Sequence, residues 1–303
     1  MFVNWPDHSE TRFGSDVLMA KHDVSKTELF TDEGLAHLLD VYPRENLDIW
    51  TFGQEGEGVN SSLRGRAPEL PGSEIVEAVK QGHIWLNMRR ANILVPDLAP
   101  ISDVIFDSLE GASGNKARKR DVSVLISSPN VKVHYHLDIP LVALFQMRGR
   151  KKVWMYPRSE EKAPSEFIED IVHMTREEEL PYLKVYDEDA TVYELEPGLG
   201  VTWPQFMPHR VENEDCMNVS LSCEFQTLNS FVHANAIYTN KLLRQLTSLA
   251  PKARAGISPL TYAKAAFARV HKAAAKQGPR VSPTPVTFEL DTSVESCIRP
   301  LYI

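Results

Sequence analysis

Val131-Lys132-Val133-His134-Tyr135-His136-Leu137-Asp138 is the stretch on which the fold and the chemistry of this chain turn. Side chains alternate between the two faces of an extended strand. Lys132, His134, His136 and Asp138 therefore share one side, and Val131, Val133, Tyr135 and Leu137 share the other, which is apolar. A row of ionisable groups facing a barrel interior is costly, and a metal ion compensates it. Far downstream, Trp203-Pro204-Gln205-Phe206-Met207-Pro208-His209 projects a further imidazole from a proline-bounded turn. His136, Asp138 and His209 then make two imidazoles and one carboxylate. Such a set covers one face of an octahedron, leaves the other open, and suits non-haem Fe(II).

The sequence around this stretch is β-like from Ile84 onward. Runs at 122–128, 131–138, 141–147, 151–156, 190–195, 200–203 and 218–225 are short, apolar or alternating, and are separated by Pro, Gly, Asn and Asp. That is the pattern of a sandwich or barrel. The acidic segment 160–179 interrupts it as a partly helical insertion. Before it, 25–41 has helical periodicity through Leu29, Leu35, Leu38 and Leu39, 55–62 is loop-like, and 73–81 is a short helix. After Gln226, 229–249 and 259–277 are expected helices, followed by an extended segment at 286–290. The division is an N-terminal mixed region over 1–83, a catalytic core over 84–226 and a helical extension over 227–303.

Composition narrows the function classes. The 303 residues are 43% hydrophobic and 24% charged, as in ordinary globular proteins. A net charge of -8 disfavours a nucleic-acid partner. The basic run Lys116, Arg118, Lys119 and Arg120 is expected to be a solvated loop. Three cysteines, Cys216, Cys223 and Cys297, form no Cys-x-x-Cys pair and no even-numbered framework. They suit a reducing compartment, and a cytoplasmic location is expected. Neither a signal peptide nor a membrane-spanning run is evident, so stable membrane insertion is not expected. Walker loops, dinucleotide fingerprints and nucleophile elbows are absent from the sequence.

Residues 84–226 resemble the Jumonji C (JmjC) and cupin-like oxygenases, in particular the asparaginyl-hydroxylase branch. The resemblance rests on His136-Leu137-Asp138, on the distal His209, and on Gln146, Gly149, Lys151 and Pro157 in Phe145-Gln-Met-Arg-Gly-Arg-Lys151-Lys-Val-Trp-Met-Tyr-Pro157. It implies a mainly β fold, a double-stranded β-helix of the cupin or jelly-roll kind, with N-terminal helices and a C-terminal helical extension. It further implies an Fe(II)- and 2-oxoglutarate-dependent hydroxylase that uses O2 and releases succinate and CO2. By the same resemblance Lys151, thirteen residues after Asp138, pairs with the far carboxylate of 2-oxoglutarate. Many members carry a hydroxyl residue three positions before the first His; this chain has Val133 there. Ser127 or Ser128, or Ser220 or Ser222 on a later strand, can supply that hydroxyl. Ser127 and Ser220 join Lys151 as the expected cofactor-binding residues.

A related pattern competes. His134-Tyr135-His136 opens the first cupin metal motif, and Gly198, Pro204, His209 and Asn213 fit the second, with Phe206 in place of its third glycine. The glutamate that the first motif needs is missing, since Ile139, Pro140 and Leu141 follow Asp138. Asp138 is therefore the expected carboxylate, with His134 beside the site. A cupin enzyme that does not use 2-oxoglutarate and a non-catalytic metal- or ligand-binding module are the alternative functions.

The substrate, whether a protein side chain or a small molecule, is left open. Phe145 and Trp154 are expected in the core, and Arg210 in a surface salt bridge. A homodimer is expected through the C-terminal helices. Phe231, Ala234, Ile237, Tyr238, Leu242, Leu243 and Leu246 form one apolar stripe, and Leu260, Tyr262, Ala263, Ala266, Phe267 and Val270 form a second.

Overall fold

A computed structural model describes residues 1–52, 62–67, 69–247, 251–253, 256–274 and 281–301. The expected loop at 55–62 therefore lies almost wholly outside the described residues, as do the ends expected for the two C-terminal helices. The larger sheet runs, in hydrogen-bonded order, β1 (Val3–Asn4), β2 (Leu18–His22), β11 (Leu199–Thr202), β8 (Leu141–Arg148), β13 (Asn218–Gln226), β6 (Arg118–Ser127), β5 (Trp85–Met88), β3 (Leu47–Thr51), β4 (Leu63–Arg66), β14 (Val286–Leu290) and β15 (Ile298–Pro300). The smaller sheet runs β10 (Thr191–Leu195), β9 (Lys151–Met155), β12 (His209–Asn213) and β7 (Lys132–His136). All pairs are antiparallel except β14 with β4. The helices are α1 (Ser9–Arg12), α2 (Asp32–Val41), α3 (Gly72–Gln81), α4 (Ala91–Leu94), α5 (Ala99–Ser113), α6 (Ser165–Val172), α7 (Leu228–Leu246) and α8 (Pro259–Ala274).

The expected double-stranded β-helix is present, and β8 shows why. It is hydrogen-bonded on both edges, to β11 and β13, and nearly every residue is buried. A strand covered on both faces reads as a continuous apolar run. Val142 and Leu144 point into the space between the sheets with Val153, Met155, Val201 and Val211. Ala143, Phe145 and Met147 point the other way, into the core under α2, α3 and α5.

The strands expected from the sequence are found with edges shifted by a few residues, as is usual for element boundaries. One helix was missed. The stretch 99–113 lies inside the region read as β-like, yet forms α5. Ile101, Ile105, Phe106, Leu109 and Ala112 recur at helical spacing and are buried there. The expected helix at 25–41 is shorter, starting at Asp32 behind two 3-10 turns. Thr31 caps it, its Oγ1 accepting from Gly34 N–H at 3.1 Å.

The C-terminal helices divide differently from expectation. Ala234 and Ile237 of α7 join Tyr156 and Phe206 in a core cluster on the outer side of the smaller sheet. The stripe on α7 is thus partly spent within the chain, where the helix packs mainly against α8 and α6. The basic run at 116–120 is also less free than a solvated loop, because Lys116 and Arg120 both reach Glu110 at 2.6 Å.

The β8–β9 turn sets the register of Lys151. Gly149 takes φ +75 there, and a Cβ on it would lie 2.3 Å from the Met217 carbonyl oxygen. Gly149→Ala should therefore cost about 1–3 kcal/mol from the backbone conformation alone, before that clash is counted. A chemical denaturation curve reads this as a lower midpoint at unchanged slope. An unchanged midpoint would mean that the turn readily adopts another conformation.

Candidate metal centre

Strands β7 and β12 lie side by side, with His136 in register with His209. The pairing then slips, so that Val211 faces Val133. This bulge corrects the simple alternation expected of β7. Val133 packs inward against Val153 and Val211, while Tyr135 and Leu137 pack outward with Tyr156 and Phe206. A bulge inserts an extra residue and re-aims the side chains beyond it.

One ligand-type atom from each of His136, Asp138 and His209 lies within 4.8 Å of the others. The His136 and His209 ring centroids are 4.1 Å apart, and His209 Nε2 is 3.4 Å from Asp138 Oδ2. His136 Nδ1 is 2.7 Å from the His134 carbonyl, and His209 Nδ1 is 3.0 Å from the Met207 carbonyl. Each contact requires Nδ1 to carry the proton. Both Nε2 atoms are then lone-pair donors, the tautomer that a metal ligand needs. His209 is buried, and its pKa is pushed down to about 4 by that burial and by His136. It is neutral at physiological pH. Asp138 Oδ2 is buried without a hydrogen-bond partner. A lone acceptor of this kind is costly unless something occupies the site. The donor set and the orphaned oxygen both fit a divalent ion.

Lys151 enters the same interior from β9, where it is buried. Among the described residues no carboxylate lies within ion-pair distance of it. Burial pushes its pKa down to about 7. Lys152 points away, with Nζ 4.0 Å from Glu194. Ser127 and Ser220 are both buried at this end of the interior. Ser127 Oγ accepts from Asn213 Nδ2 at 2.8 Å, and Asn213 is the β12 neighbour of Lys151. Ser220 Oγ donates to Gln146 Oε1 at 2.7 Å, and Gln146 Nε2 in turn donates to Asn218 Oδ1 at 2.7 Å. Ser128 is instead tied between Ile84 N–H and the Val79 carbonyl.

The residues flanking the distal histidine separate. Trp203 lies 4.7 Å from the His209 ring, whereas Phe206 turns outward to pack on His233 beneath α7. Phe206 takes φ 60, the left-handed conformation that glycine would adopt at this point of the cupin pattern. Arg210 is not in a surface salt bridge. It is buried, lies 4.1 Å over the Trp154 ring, and donates to Tyr156 Oη at 2.6 Å and Asp187 at 3.0 Å. These bonds hold the strand that carries His209.

Several residues around the centre have no local sequence signal, because distant segments bring them in. Phe52, just after β3, packs on both Trp85 and His134, at 5.9 and 5.4 Å. His134 thus sits in an aromatic wall, and its Nε2 has no partner. Glu178 is solvent-accessible, yet its carboxyl is pushed up to about 8 by desolvation first and then by Asp138 and Glu224. Glu224 is raised to about 7 by desolvation, Asp138 and Asp121.

No protein-family model matches the chain. No curated protein matches it either. Among solved structures, it is similar to Escherichia coli ycfD, at 16% identity and a TM-score of 0.50, over 90% of this chain and 70% of that one. It also matches YcfD described as a ribosomal oxygenase in complex with cobalt and 2-oxoglutarate, at 15% identity and a TM-score of 0.45, over 82% of this chain and 60% of that one. A third match, YcfD with cobalt and succinic acid, has 17% identity, a TM-score of 0.42 and the same coverage. The chain shares the fold of E. coli ycfD, and that fold together with the His136–Asp138–His209 set fits the JmjC and cupin-like oxygenases that its sequence resembles.

Proposed function

We propose that this protein is an Fe(II)- and 2-oxoglutarate-dependent oxygenase that hydroxylates a substrate presented at the open side of the metal centre. One observation carries the reading. Two imidazoles with Nδ1 committed to main-chain carbonyls two residues upstream converge on a carboxylate with an orphaned oxygen, and a buried lysine with no carboxylate within ion-pair distance among the described residues stands on the neighbouring strand. His136, Asp138 and His209 would hold iron, which supplies O2 activation coupled to oxidative decarboxylation of 2-oxoglutarate. Lys151 would bind the far carboxylate, and Ser127 and Ser220 would hold the polar end of that pocket together with Asn213 and Gln146. Apolar walls from Val133, Val153 and Val211 exclude water from the reacting end. His134 packs on Phe52 and stands outside the ligand cluster, which favours this reading over a cupin site built on His134. Incubation with Fe(II), 2-oxoglutarate and O2 should yield succinate, and yield none when Fe(II) is omitted. Failure to form succinate with any substrate offered would favour the non-catalytic alternative.

The cysteines are unpaired, with Cys223 and Cys297 buried, which suits a reducing cytoplasm. No helix among the described residues is long and apolar enough to cross a membrane. The homodimer is assigned to α8 rather than to both helices. Thr261, Ala265 and Ala268 face inward. On the opposite side Leu260, Ala263, Phe267, Val270 and Ala274 form an exposed seam at alternating spacings of three and four. Leu260 is 64%, Phe267 51% and Val270 69% exposed, an arrangement suited to a second copy of the same helix. Phe267→Glu with Val270→Glu should convert a dimer to a monomer in light scattering. A wild-type monomer at micromolar concentration would remove the dimer.

A further inference from the structure

Each histidine of the metal centre has a sequence neighbour on the outer side of the smaller sheet: Tyr135 beside His136, and Arg210 beside His209. The bulge brings these neighbours together. His209 pairs with His136 and Val211 with Val133, so Arg210 alone stands opposite His134 and Tyr135. An extra residue disrupts the ladder locally and bends the strand. The point at which both imidazoles leave the main chain is therefore the point at which strand pairing constrains them least.

Behind the sheet, one polar cluster closes over that point. Asp187, on a 3-10 turn over Lys184–Asp189, accepts from Arg210 Nη2 at 3.0 Å. It also accepts from Tyr156 Oη at 2.6 Å and Tyr182 Oη at 2.8 Å. Arg210 Nε donates to the same Tyr156 Oη at 2.6 Å, and its Nη1 donates to Glu212. The guanidinium lies 4.1 Å from the Trp154 ring and 5.6 Å from the Tyr182 ring. On the His136 side, the Tyr135 ring meets Tyr156 edge-on at 4.9 Å and Tyr182 at 5.8 Å. The Tyr135 carbonyl accepts from Leu180 N–H at 2.9 Å. Tyr156 N–H donates to the carbonyl of Pro208, one residue before His209, at 3.0 Å. Both imidazole-bearing segments are thus tied to Tyr156, and Tyr156 is tied to Asp187. Charge-assisted bonds of this kind are stronger than neutral ones and add geometric specificity.

We infer that Asp187 is a positioning residue for the metal centre: through Arg210 and Tyr156 it fixes the spacing of His136 and His209 across the bulge. This inference rests on the ligand assignment above, and it makes the segment 180–189 a brace beneath the site. An amide in place of the carboxylate would keep the shape of the side chain. It would turn an N–H toward one of the three donors that Asp187 now satisfies. Arg210 would then keep Glu212 as its anionic partner among the described residues.

The test titrates the full chain with Co(II) without O2, reading affinity by competition with a chelating dye and geometry from the visible d–d bands. Asp187→Asn should bind Co(II) roughly tenfold more weakly than wild type, as loss of a group that orients ligands does, and its bands should shift. Tyr182→Phe removes one of the three donors and leaves the charges in place. It should move both readouts in the same direction by less, which keeps the inference testable if Asp187→Asn does not fold. Leu109→Ala opens a cavity in the core under α5, away from the cluster, and controls for lost stability. It should keep wild-type affinity and bands. Wild-type affinity and bands in both cluster variants, or an equal loss in Leu109→Ala, would overturn the inference while leaving the ligand assignment intact. A wild-type chain that takes up no Co(II) would refute the ligand assignment itself.

Discussion

Replacing His209 with alanine should abolish stoichiometric Fe(II) binding and leave the fold standing. His209 sits on β12 between β7 and β9, and its backbone pairing does not depend on its side chain. The imidazole is buried, neutral and aimed at Asp138 by the Met207 carbonyl. Its loss leaves one imidazole and one carboxylate, too few ligands to hold a labile divalent ion against buffer. Iron content after anaerobic loading should fall from one equivalent per chain to background, while the circular dichroism spectrum is retained. His136→Ala should behave alike, whereas His134→Ala should keep its iron. Iron content unchanged in His209→Ala would show that the ligand assignment is wrong.

Neutralising Lys151 should weaken 2-oxoglutarate binding by roughly 10- to 100-fold, the equivalent of a charge-assisted hydrogen bond of about 1.5–3 kcal/mol. Lys152→Met should change it little. The two lysines are adjacent, but one is buried in the interior and the other reaches out to Glu194. Titration calorimetry on Lys151→Met and Lys152→Met separates them, with metal binding intact in both. Equal losses, or a larger loss at Lys152, would put the register in error.

Lys151 also sets a pH dependence. Burial lowers its pKa to about 7. The bound carboxylate needs the protonated form, so affinity should fall as pH rises from about 7 to 9, with a proton taken up on binding in that range. The stability term has the opposite slope. Between about 7 and the ordinary lysine range the unfolded chain holds a proton that the folded chain lacks, so this group's contribution to stability rises with pH there. An affinity that is flat from pH 7 to 9 would mean that Lys151 carries no charge to the ligand.

The strands were legible because buried β-strands leave short apolar runs between turn residues, as β8 and β13 do. His136, Asp138 and His209 were legible because their residue types are costly in a barrel wall without a metal. Helix α5 was carried in the sequence as Ile101, Ile105, Phe106 and Leu109, and was overlooked because it lies amid β-like segments. The slip between His209 and Val211 could not be read, since a bulge changes the face of Val133 without changing the local residue pattern. Arg210 escaped because its partners Tyr156 and Asp187 lie far from it in sequence. The same holds for Phe52, Trp85, Glu178 and Glu224, which only the closed barrel brings beside the metal centre. The apolar stripe of α7 looked like a spare surface because periodicity shows that a face is apolar, not what covers it.

The most direct test is an anaerobic crystal structure of the full chain with Fe(II) and 2-oxoglutarate. It should show one metal ion bound by Nε2 of His136, Nε2 of His209 and the Asp138 carboxylate, with 2-oxoglutarate on the metal and its far carboxylate against Lys151. A metal bound elsewhere, or a 2-oxoglutarate that avoids both the metal and Lys151, would contradict the account.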